Sequence, residues 1–596
     1  MKNLSDLIDI KKGERELSGD RITVGVATCG ISAGALATLK ALQEAGLGIS
    51  VDTVGCSGMC YNEPIVTVKQ NGAYSIYGHV TSDKAPKFID SIKNGSICDD
   101  LFVAHDLSEI EYYLKQQRIV MENCGLINPL SIEQYAASGG FTGLHEALFM
   151  EPKEVVEVIK DSRLRGRGGA GFPTGMKWSF VVGKAGKKYV VCNADEGDPG
   201  AFMNRIMVES DPFKVLEGIM IAAYAIGSDE AFIYMRLERP LSIRMMKKAI
   251  SVLVEKGLLG DNILGRDGFN LRINVKKGAG AFVCGEETAL MSSIMGQRGY
   301  PRPRPPFPAE KGLWDKPTVI NNVDTMANVA TIMKIGLDRY KTIGTEKSRG
   351  TKTVCLTGNV KRPGVIEVPF GITLKEIVYD IGGGTPDGTS LKAVQTGGPA
   401  GGCLPVSMME TPLDYETLTA AGAIMGSGGM VVMSDRDCVV DVAKFFMSFT
   451  QKESCGKCTP CREGTMRLLE ILERITDGSG NKGDIELARK LAIFVRDSSL
   501  CGLGQNAPNP ILSTLKYFMD EYVQHAEQKT CAAGVCKNMV VYSITDKCVG
   551  CGNCARVCPV GAITGKLKSK YLIDQARCVK CGECMKNCAF KAIERK

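Results

Sequence analysis

The chain has 596 residues, which is too long for one hydrophobic core and suggests about four domains. Its hydrophobic content of 44%, its charged content of 23% and its net charge of +7 are those of an ordinary globular protein. The absence of a basic stripe with interleaved aromatics argues against nucleic-acid binding. No apolar run approaches the roughly 18 residues that span a bilayer, and no secretory signal follows Met1, so we expect a cytoplasmic protein without a membrane span.

The 24 cysteines are the most informative feature of the composition. A large chain without a secretory signal is not expected to use them for disulfides. Eleven of them fall in three tight clusters at metal-ligand spacing, and a twelfth, Cys501, lies 40 residues after the first cluster. This pattern favours iron–sulfur chemistry over zinc sites or redox dithiols.

The first hundred residues are predicted to alternate between strands and helices. Cys29 follows the first strand, and Cys56 and Cys60 form a Cys-x3-Cys pair in the loop after the second strand. A turn at Asn71-Gly72 is typical of a β-hairpin. We predict helices at 1–20, 35–45 and 82–94, strands at 22–27 and 49–54, and the hairpin within 64–77.

Cysteines at the tips of two strands resemble the thioredoxin-like 2Fe–2S domain of NADH dehydrogenases and hydrogenases, over about residues 20–95. That family supplies four thiolates, whereas this chain has no second cysteine soon after Cys29. The resemblance implies a 2Fe–2S cluster, and the alternative is a docking domain without one. Its ligands would be Cys29, Cys56 and Cys60, with Ser32, Ser57, Cys98 or Cys124 as the fourth.

Residues 96–160 are predicted to be a linker with helical pieces, and a glycine-rich segment, GRGGAGFPTGMKW, follows at 166–178. Glycine lets the backbone approach a ligand closely, and runs of free amides favour phosphate, above all before a helix. Cations stand near both ends, at Arg167 and Lys177. A flexible loop is the alternative interpretation of such a run by itself.

A strand predicted at 188–193 runs into an acidic turn, ADEGDPG, at 194–200. Open α/β sheets bind ligands at the carboxyl ends of their strands. A helix at 212–226 and a strand at 230–234 continue the alternation and predict a Rossmann-like unit. Three further blocks follow, GAGAFVCGEETAL at 278–290, PRPPFPA at 303–309 and INNVDT at 320–325.

These five blocks, in this order, resemble the flavin- and NADH-binding subunit of respiratory NADH dehydrogenase and the matching subunits of NAD-linked hydrogenases and formate dehydrogenases. The resemblance covers about residues 120–530 and implies FMN and NAD(H) as cofactors. No residue is expected to act as acid or base in hydride transfer. By this resemblance, the FMN phosphate and ribityl chain are held by Gly166, Arg167, Gly168 and Lys177. The polar edge of the flavin is bound by Asn193, Asp195, Glu196, Asn321 and Asn322. NADH is contacted by Phe172, Phe180, Asp198, Glu286, Glu287 and Phe307.

Some of these roles have alternatives. The respiratory enzymes carry a glutamate where Asp198 stands, which leaves its contact with NADH open. The three phenylalanines, taken separately, also suit core packing. The acidic residues favour NADH because a 2′-phosphate would be repelled, whereas Arg302 and Arg304 weaken that inference.

Residues 350–432 are rich in glycine and in strand-forming residues, and resemble the family's ubiquitin-like (SLBB) insert.

A Cys-x2-Cys-x2-Cys loop follows, joined by one distant cysteine, and such a set can ligate a cubane. Helices predicted at 439–449, 465–476 and 484–494 indicate a small bundle, and zinc is the alternative metal. By resemblance this is the family's 4Fe–4S centre, the first acceptor beyond FMN, with ligands Cys455, Cys458, Cys461 and Cys501.

The last fifty residues contain the Cys-x2-Cys-x2-Cys-x3-Cys pattern twice, as an internal repeat of about 30 residues. In two-cluster ferredoxins the fourth cysteine of each run ligates the other cluster. We therefore predict two 4Fe–4S clusters, which brings the expected total to three. One would be held by Cys548, Cys551, Cys554 and Cys588, and the other by Cys578, Cys581, Cys584 and Cys558.

His525 precedes a Cys-x4-Cys loop formed by Cys531 and Cys536. Mixed histidine and cysteine ligation suits a structural zinc site, for which Cys438 is the candidate fourth ligand. An unmetallated loop is the alternative. If zinc is present, we expect it to hinge or lock the tail against the flavin module.

The sequence thus predicts a multidomain α/β protein. The combined modules resemble the flavin subunit of electron-bifurcating, NAD- and ferredoxin-dependent FeFe hydrogenases. We expect a hetero-oligomer with a hydrogenase catalytic subunit, a small thioredoxin-like 2Fe–2S subunit and ferredoxin as partners. A diaphorase subunit of a formate dehydrogenase or of an NADP-reducing hydrogenase, and a non-catalytic scaffold with a vestigial flavin site, remain alternatives.

The predicted domains are a thioredoxin-like domain at 1–110, a Rossmann-like FMN and NADH domain at 111–345, a ubiquitin-like β-grasp domain at 346–435, a helical bundle at 436–530, and a zinc-type loop with the ferredoxin domain at 531–596.

Overall fold

The computed structural model describes residues 2–595 and divides into two compact units. The first comprises Met1–Asp387 and Val394–Val432, and the second comprises Gly388–Ala393 and Met433–Lys596. No helix among residues 2–595 has both the length and the hydropathy needed to cross a bilayer. The apolar residues 215–226 belong to a buried helix of the first unit.

The first unit begins with a mixed sheet of order β2-β1-β3-β4-β5, in which β1 runs parallel to β2 and antiparallel to β3. The predicted hairpin is confirmed, because Asn71 and Gly72 both have positive φ between β3 and β4. Only the second half of the predicted N-terminal helix forms. The elements are α1 (Ile10–Ser18), β1 (Arg21–Gly25), α2 (Thr28–Ser32), α3 (Ala35–Glu44), β2 (Ser50–Val54), β3 (Val66–Gln70), β4 (Ala73–Tyr77), α4 (Ala85–Lys93) and β5 (Phe102–Ala104).

Residues 96–160 are not a linker, and that prediction was wrong. The apolar side chains of Phe141, Leu144 and Leu148 are fully buried in the main core of the first unit. Their spacing along one helical face brings them against later helices. The helices of this segment are α5 (Glu111–Leu114), α6 (Ile132–Ala137), α7 (Thr142–Phe149) and α8 (Pro152–Asp161).

A parallel four-stranded sheet of order β8-β7-β6-β9 forms the centre of the first unit. Every residue of α11, which packs on it, is buried. Asp211 caps this helix at its start, Gly227 ends it with φ +72°, and its Glu217 accepts hydrogen bonds from Tyr135 and two backbone amides. The elements are α9 (Thr174–Ser179), β6 (Tyr189–Ala194), α10 (Met203–Ser210), α11 (Pro212–Ile226), β7 (Glu230–Arg236), α12 (Pro240–Glu255), β8 (Arg272–Gly278), α13 (Glu287–Ile294), β9 (Thr318–Asn322), α14 (Val323–Ile335) and α15 (Leu337–Lys341).

The β-rich region predicted at 350–432 forms a five-stranded sheet of order β11-β10-β14-β12-β13. In this sheet β10 pairs antiparallel with β11 and parallel with β14. Its elements are β10 (Thr351–Gly358), β11 (Gly364–Pro369), β12 (Leu391–Thr396), β13 (Gly402–Pro405), α16 (Tyr415–Ala420) and β14 (Gly429–Ser434).

The second unit contains the predicted helices around the Cys455 loop, each longer than expected, and they share one apolar core. The repeat predicted in the tail is present as two four-residue helices that begin 30 residues apart, each within one cysteine run. The elements are α17 (Val439–Glu453), α18 (Thr459–Asp477), α19 (Lys482–Ser498), α20 (Gly502–Asn506), α21 (Asn509–Tyr517), α22 (Met519–Val523), β15 (Tyr542–Ile544), α23 (Asn553–Arg556), β16 (Ile563–Thr564), β17 (Leu572–Ile573), α24 (Glu583–Lys586) and β18 (Ile593–Arg595).

Candidate functional site

The glycine-rich segment forms a closed loop at the carboxyl edge of the parallel sheet. The Gly166 amide donates to the Phe172 carbonyl (2.9 Å), and a Cβ added at Gly168 would lie 3.2 Å from the Asn322 side chain at the end of β9. Between these contacts, no amide of residues 168–171 donates a hydrogen bond to any described residue. The loop therefore presents a run of backbone donors, which is the arrangement that binds phosphate groups.

The structure corrects the role expected of the Arg167 side chain. The guanidinium is fully buried and donates to the carbonyls of Thr351 (3.0 Å) and Arg349 (2.7 Å) and to the Tyr340 hydroxyl (3.2 Å). Its remaining nitrogen donates to the Arg165 carbonyl at 2.8 Å. All three guanidinium nitrogens of Arg167 therefore donate to protein oxygens and hold the glycine-rich loop in place. The guanidinium is for this reason not available to a phosphate bound by the amides of residues 168–171.

Lys177 lies on α9, directly after the loop. Its Nζ donates to the Ile320 carbonyl (3.0 Å) and lies 3.8 Å from a carboxylate oxygen of Glu287. Burial lowers the pKa of Lys177, and the Glu287 carboxylate opposes that shift. The Glu287 carboxylate and the Ile320 carbonyl therefore fix the position of the Lys177 ammonium, which directly follows the glycine-rich loop in the sequence.

Three of the predicted NADH-contacting side chains are exposed aromatics. Phe172, Phe180 and Phe307 are 45%, 51% and 50% exposed, and the first two have ring centroids 6.4 Å apart. Large apolar side chains with this exposure do not contribute to a core. The core-packing alternative is therefore wrong for these three residues.

The acidic turn after β6 is held by side-chain contacts. Asn193 accepts from the Asp195 amide (3.0 Å) and donates to the Gly285 carbonyl (2.9 Å). Asp195 is buried beside Arg236, with a nitrogen–oxygen distance of 3.4 Å. The carboxylate of Glu196 accepts from the amides of Asn204 and Arg205 in the first turn of α10, so it caps that helix.

Asp198 contacts the β-rich region. Its Oδ2 accepts from the Ser427 hydroxyl at 2.5 Å, and a Cβ added at Gly398 would lie 3.0 Å from the same oxygen. Burial raises the pKa of Asp198 to about 6, although the Ser427 hydrogen bond opposes the shift. This carboxylate therefore joins the acidic turn to the loop that precedes β14.

The two glutamates at the start of α13 differ in their partners. Glu286 caps the helix by accepting from the amides of Thr288 and Ala289, both at 3.0 Å. Glu287 pairs with Arg304 (2.6 Å) and, more weakly, with Lys177. Arg304, one of the two arginines that weakened the preference for NADH, is thus engaged by a carboxylate.

The two asparagines at the end of β9 complete this edge. Asn321 accepts from the Trp178 indole nitrogen at 2.9 Å. Asn322 caps α14 by accepting from the Asp324 amide at 2.9 Å. Both therefore lie beside the glycine loop, with their orientation set by hydrogen bonds.

The three N-terminal cysteines converge. The thiol sulfurs of Cys29, Cys56 and Cys60 all lie within 4.8 Å of one another. Sequence reasoning missed a fourth group, because an oxygen of the buried Glu63 lies 3.6 Å from the Cys29 sulfur. Its position three residues after Cys60 was the available signal.

Three of the four cysteines predicted to hold the bundle cluster stand at the starts of helices. Cys458 and Cys501 directly precede α18 and α20, and Cys461 lies in the first turn of α18. Burial raises the pKa of Cys461 to about 11, although the hydrogen bond with Ser454 opposes the shift, and the neighbouring thiols of Cys458, Cys501 and Cys455 add to it. Four thiols from one loop and one distant turn can hold a cubane.

In the tail, Cys548, Cys551 and Cys554 line a small cavity together with Cys588 from the other half of the repeat. Burial raises the pKa of Cys584 to about 11, and the thiols of Cys578 and Cys581 add to that shift. Cys558 accepts from the amide of Ala562 at 3.2 Å. The folded repeat therefore brings cysteines of both halves to one site.

The four residues of the candidate zinc site are all buried, and their ligand atoms lie within 4.8 Å of one another. His525 Nε2 is 3.3 Å from the sulfurs of both Cys438 and Cys536, and Cys531 completes the group. His525 Nδ1 lies 2.7 Å from the Glu521 carbonyl, which orients the ring as in many metal sites. One histidine and three cysteines in this arrangement are a set that can hold a metal ion.

Comparison with known families agrees with this architecture. The Nuo51 FMN-binding domain matches residues 159–331, the SLBB domain 353–404, the NADH-ubiquinone oxidoreductase-F iron–sulfur binding region 441–525 and the 4Fe-4S dicluster domain 547–592. The fold, the cysteine sets and these matches define a multidomain α/β electron-transfer protein with an FMN-binding domain and 4Fe–4S domains.

The chain is 54% identical to the HndC subunit of the NADP-reducing hydrogenase of Solidesulfovibrio fructosivorans, over 77% of this chain and 93% of that protein. It is 45% identical to the F 2 subunit of the NADH-quinone oxidoreductase of Rhizobium meliloti (strain 1021), over 69% and 98%. A solved chain of an NAD+-reducing [NiFe]-hydrogenase matches with a TM-score of 0.61 and 29% identity, covering 85% of this chain and 84% of that one. The chain belongs to the family of NADH-dehydrogenase-type flavoprotein subunits that includes HndC and the F subunits of NADH-quinone oxidoreductases.

Proposed function

We propose that this chain exchanges electrons between NAD(H) and iron–sulfur clusters at an FMN held by the 166–171 loop. The observation that carries the proposal is the run of amides at residues 168–171, which donate to no described residue and lie at the carboxyl edge of the parallel sheet. A bound phosphate would satisfy them. When bound, FMN exchanges a hydride with a nicotinamide and single electrons with clusters.

The side chains around the loop orient the flavin and the dinucleotide. Lys177 adds a positive charge beside the amides, while Asn193 and Asn321 offer fixed amide groups at the flavin edge. Phe172 and Phe180 supply exposed rings on which a nicotinamide or adenine can stack. Phe307 is exposed in the same way and covers the adenine in this proposal.

Three 4Fe–4S clusters receive the electrons in this proposal. The Cys455 set lies in the helical bundle, and the tail holds the other two in the crossed ligand arrangement, which the cavity lined by Cys548 and Cys588 supports. A zinc ion at the His525 set would fix the segment that leads into the tail. The five-domain division at 110, 345, 435 and 530 remains part of the proposal.

The wider assembly is also a proposal. The similarity to HndC supports a hydrogenase complex, in which a catalytic subunit and a small 2Fe–2S subunit would be partners. The two-cluster tail offers a second route for electrons, towards ferredoxin. We therefore propose that the complex couples NADH, ferredoxin and H2 by electron bifurcation.

A second candidate is an NADP-linked diaphorase, because HndC is named for reduction of NADP. Glu287 opposes this interpretation, since its carboxylate pairs with Arg304 and would repel a 2′-phosphate. The ratio of kcat/KM for NADH and NADPH separates the two candidates.

The test uses the complete chain, reconstituted anaerobically with FMN, iron and sulfide, and follows NADH-dependent reduction of methyl viologen. Lys177→Met is expected to weaken FMN binding about 10-fold or more, because a charge-assisted hydrogen bond contributes about 1.5–3 kcal/mol. Lys184→Met is the matched control, since Lys184 also donates to a backbone carbonyl (Ala309, 2.8 Å). A wild-type chain that binds no FMN and oxidises no NADH would instead support the scaffold alternative.

A further inference from the structure

The Glu63 carboxylate is buried beside the three N-terminal cysteines without a counter-ion. The residue is 7% exposed, and within residues 2–595 it forms no salt bridge. Oε2 accepts from the Ile65 amide (3.0 Å), and Oε1 lies 3.6 Å from the Cys29 sulfur. Buried carboxylates are costly unless they are paired or ligate a metal, which makes this position informative.

Two distances among these four groups are those of neighbouring ligands. The sulfurs of Cys56 and Cys60 are 3.8 Å apart, and the Cys29 sulfur is 3.6 Å from Glu63 Oε1. Two ligands at about 2.0–2.3 Å from one tetrahedral metal lie about 3.5–3.8 Å from each other. Each pair therefore has the spacing of two ligands on a single metal atom.

The backbone is shaped around this carboxylate. A Cβ at Gly30 would lie 3.0 Å from Glu63 Oε2, and one at Gly25 would lie 3.3 Å from the same oxygen. The Gly58 amide donates to the Cys56 sulfur at 3.3 Å, a contact that stabilises a ligating thiolate. The absence of side chains at Gly25 and Gly30 thus leaves space for the Glu63 carboxylate, and the Gly58 amide donates to the Cys56 sulfur.

The other candidates for a fourth ligand are less well placed. Ser57 Oγ is buried and has no hydrogen-bond partner among the described residues, but its Cβ packs towards Gly125, where an added Cβ would lie 2.6 Å away. Cys98 lies in the apolar core with Ile22 and Phe88. Within residues 2–595, Cys98, Cys124 and Glu63 all lie outside the group of three sulfurs that are within 4.8 Å of one another. Glu63 nevertheless has an oxygen 3.6 Å from the sulfur of one member, Cys29.

We propose that Glu63 is the fourth ligand of an iron centre at Cys29, Cys56 and Cys60. The site would take iron in a Cys3Glu set, as a 2Fe–2S cluster or as a single ion. This inference extends the proposed electron-transfer function, which supplies the reason to expect iron.

The test compares Glu63→Gln with Ser57→Ala in the complete reconstituted chain. We expect Glu63→Gln to lose the iron in excess of the three cubanes, or to shift the EPR signal of that centre, because a neutral amide is a weaker ligand. Ser57→Ala is expected to keep both the iron content and the spectrum. Acid-labile sulfide separates a 2Fe–2S cluster from a single iron, and either count supports the ligand assignment.

Glu209→Gln is the matched control for loss of a buried acid beside Cys29, since Glu209 accepts from the Thr28 amide at 2.8 Å. The proposal is overturned if Glu63→Gln leaves iron and spectrum unchanged, if Ser57→Ala removes the centre, or if wild type holds zinc or no metal there. FMN content and NADH-dependent viologen reduction, measured on the same samples, report separately on the flavin function.

Discussion

Asp198 accepts a hydrogen bond from Ser427, which links the acidic turn after β6 to the loop before β14. The two residues are 229 positions apart in the sequence. The carboxylate therefore contacts a second part of the first unit, and its protonation is coupled to that contact.

This contact predicts a pH-dependent stability. Because burial raises the pKa of Asp198 from 3.8 to about 6, the folded state holds the proton more tightly than the unfolded chain. The stabilisation is complete below about pH 4 and is lost as the pH rises through about 6. Asp198→Asn should remove this dependence and stabilise the first unit at pH 8 by about 1–3 kcal/mol, with little effect at pH 4. Thermal melts at the two pH values measure this, with exposed Asp229→Asn as the control, and an equal effect at both would contradict it.

We expect the Arg167 side chain to stabilise the folded protein and not to bind the FMN phosphate directly. Arg167→Met leaves the carbonyls of Thr351 and Arg349 without their donor, which should cost about 3 kcal/mol or more. The exposed Arg163→Met should cost less than about 0.5 kcal/mol. Urea unfolding together with FMN titration of the folded fraction separates the effects. Unchanged stability with lost FMN affinity would restore the phosphate role that the sequence suggested.

Glu287 is expected to select against NADPH. Glu287→Gln removes the carboxylate that pairs with Arg304, so the freed guanidinium can face a 2′-phosphate. The ratio of kcat/KM for NADPH over NADH should rise about 5–10-fold, which corresponds to about 1–1.4 kcal/mol. Glu310→Gln, which is close to Arg304 in the sequence but outside this ion pair, serves as the control. An unchanged ratio would show that Glu287 does not contribute to specificity.

The iron content of double variants tests whether each tail cluster takes its fourth ligand from the other cysteine run. If Cys588 serves the cluster of Cys548, the double variant Cys548→Ser with Cys588→Ser should lose one cluster, or about four irons. The double variant Cys578→Ser with Cys588→Ser should lose two clusters, or about eight irons. Iron and sulfide analysis with EPR makes the comparison. The reverse order of losses would show that each cysteine run holds its own cluster.

Local sequence patterns predicted the parallel sheet, the glycine loop and the cysteine repeats, because turn residues and metal-ligand spacings act over short distances. The direction of the Arg167 side chain could not be predicted, since its partners Thr351 and Tyr340 lie 184 and 173 residues further on. The linker prediction failed because short helices such as α7 owe their burial to packing partners far along the chain.

The metal-ligand sets show the same limit. Cys438 lies 87 residues from His525, so only folding brings it to that histidine. The sequence did not suggest Glu63, the ligand proposed above, because only thiols and hydroxyls were considered for the fourth position, although this carboxylate lies three residues beyond Cys60. Spacing indicates which residues share a loop, and tertiary packing decides which groups from elsewhere join them.

Anaerobic NADH titration of the reconstituted chain, with flavin and iron quantified on the same sample, tests the central claim most directly. The account predicts about one FMN per chain and bleaching of both flavin and iron–sulfur absorbance by NADH, with Lys177→Met impaired and Lys184→Met unaffected. A chain that retains its clusters but binds no FMN, or whose clusters stay oxidised in excess NADH, would contradict it.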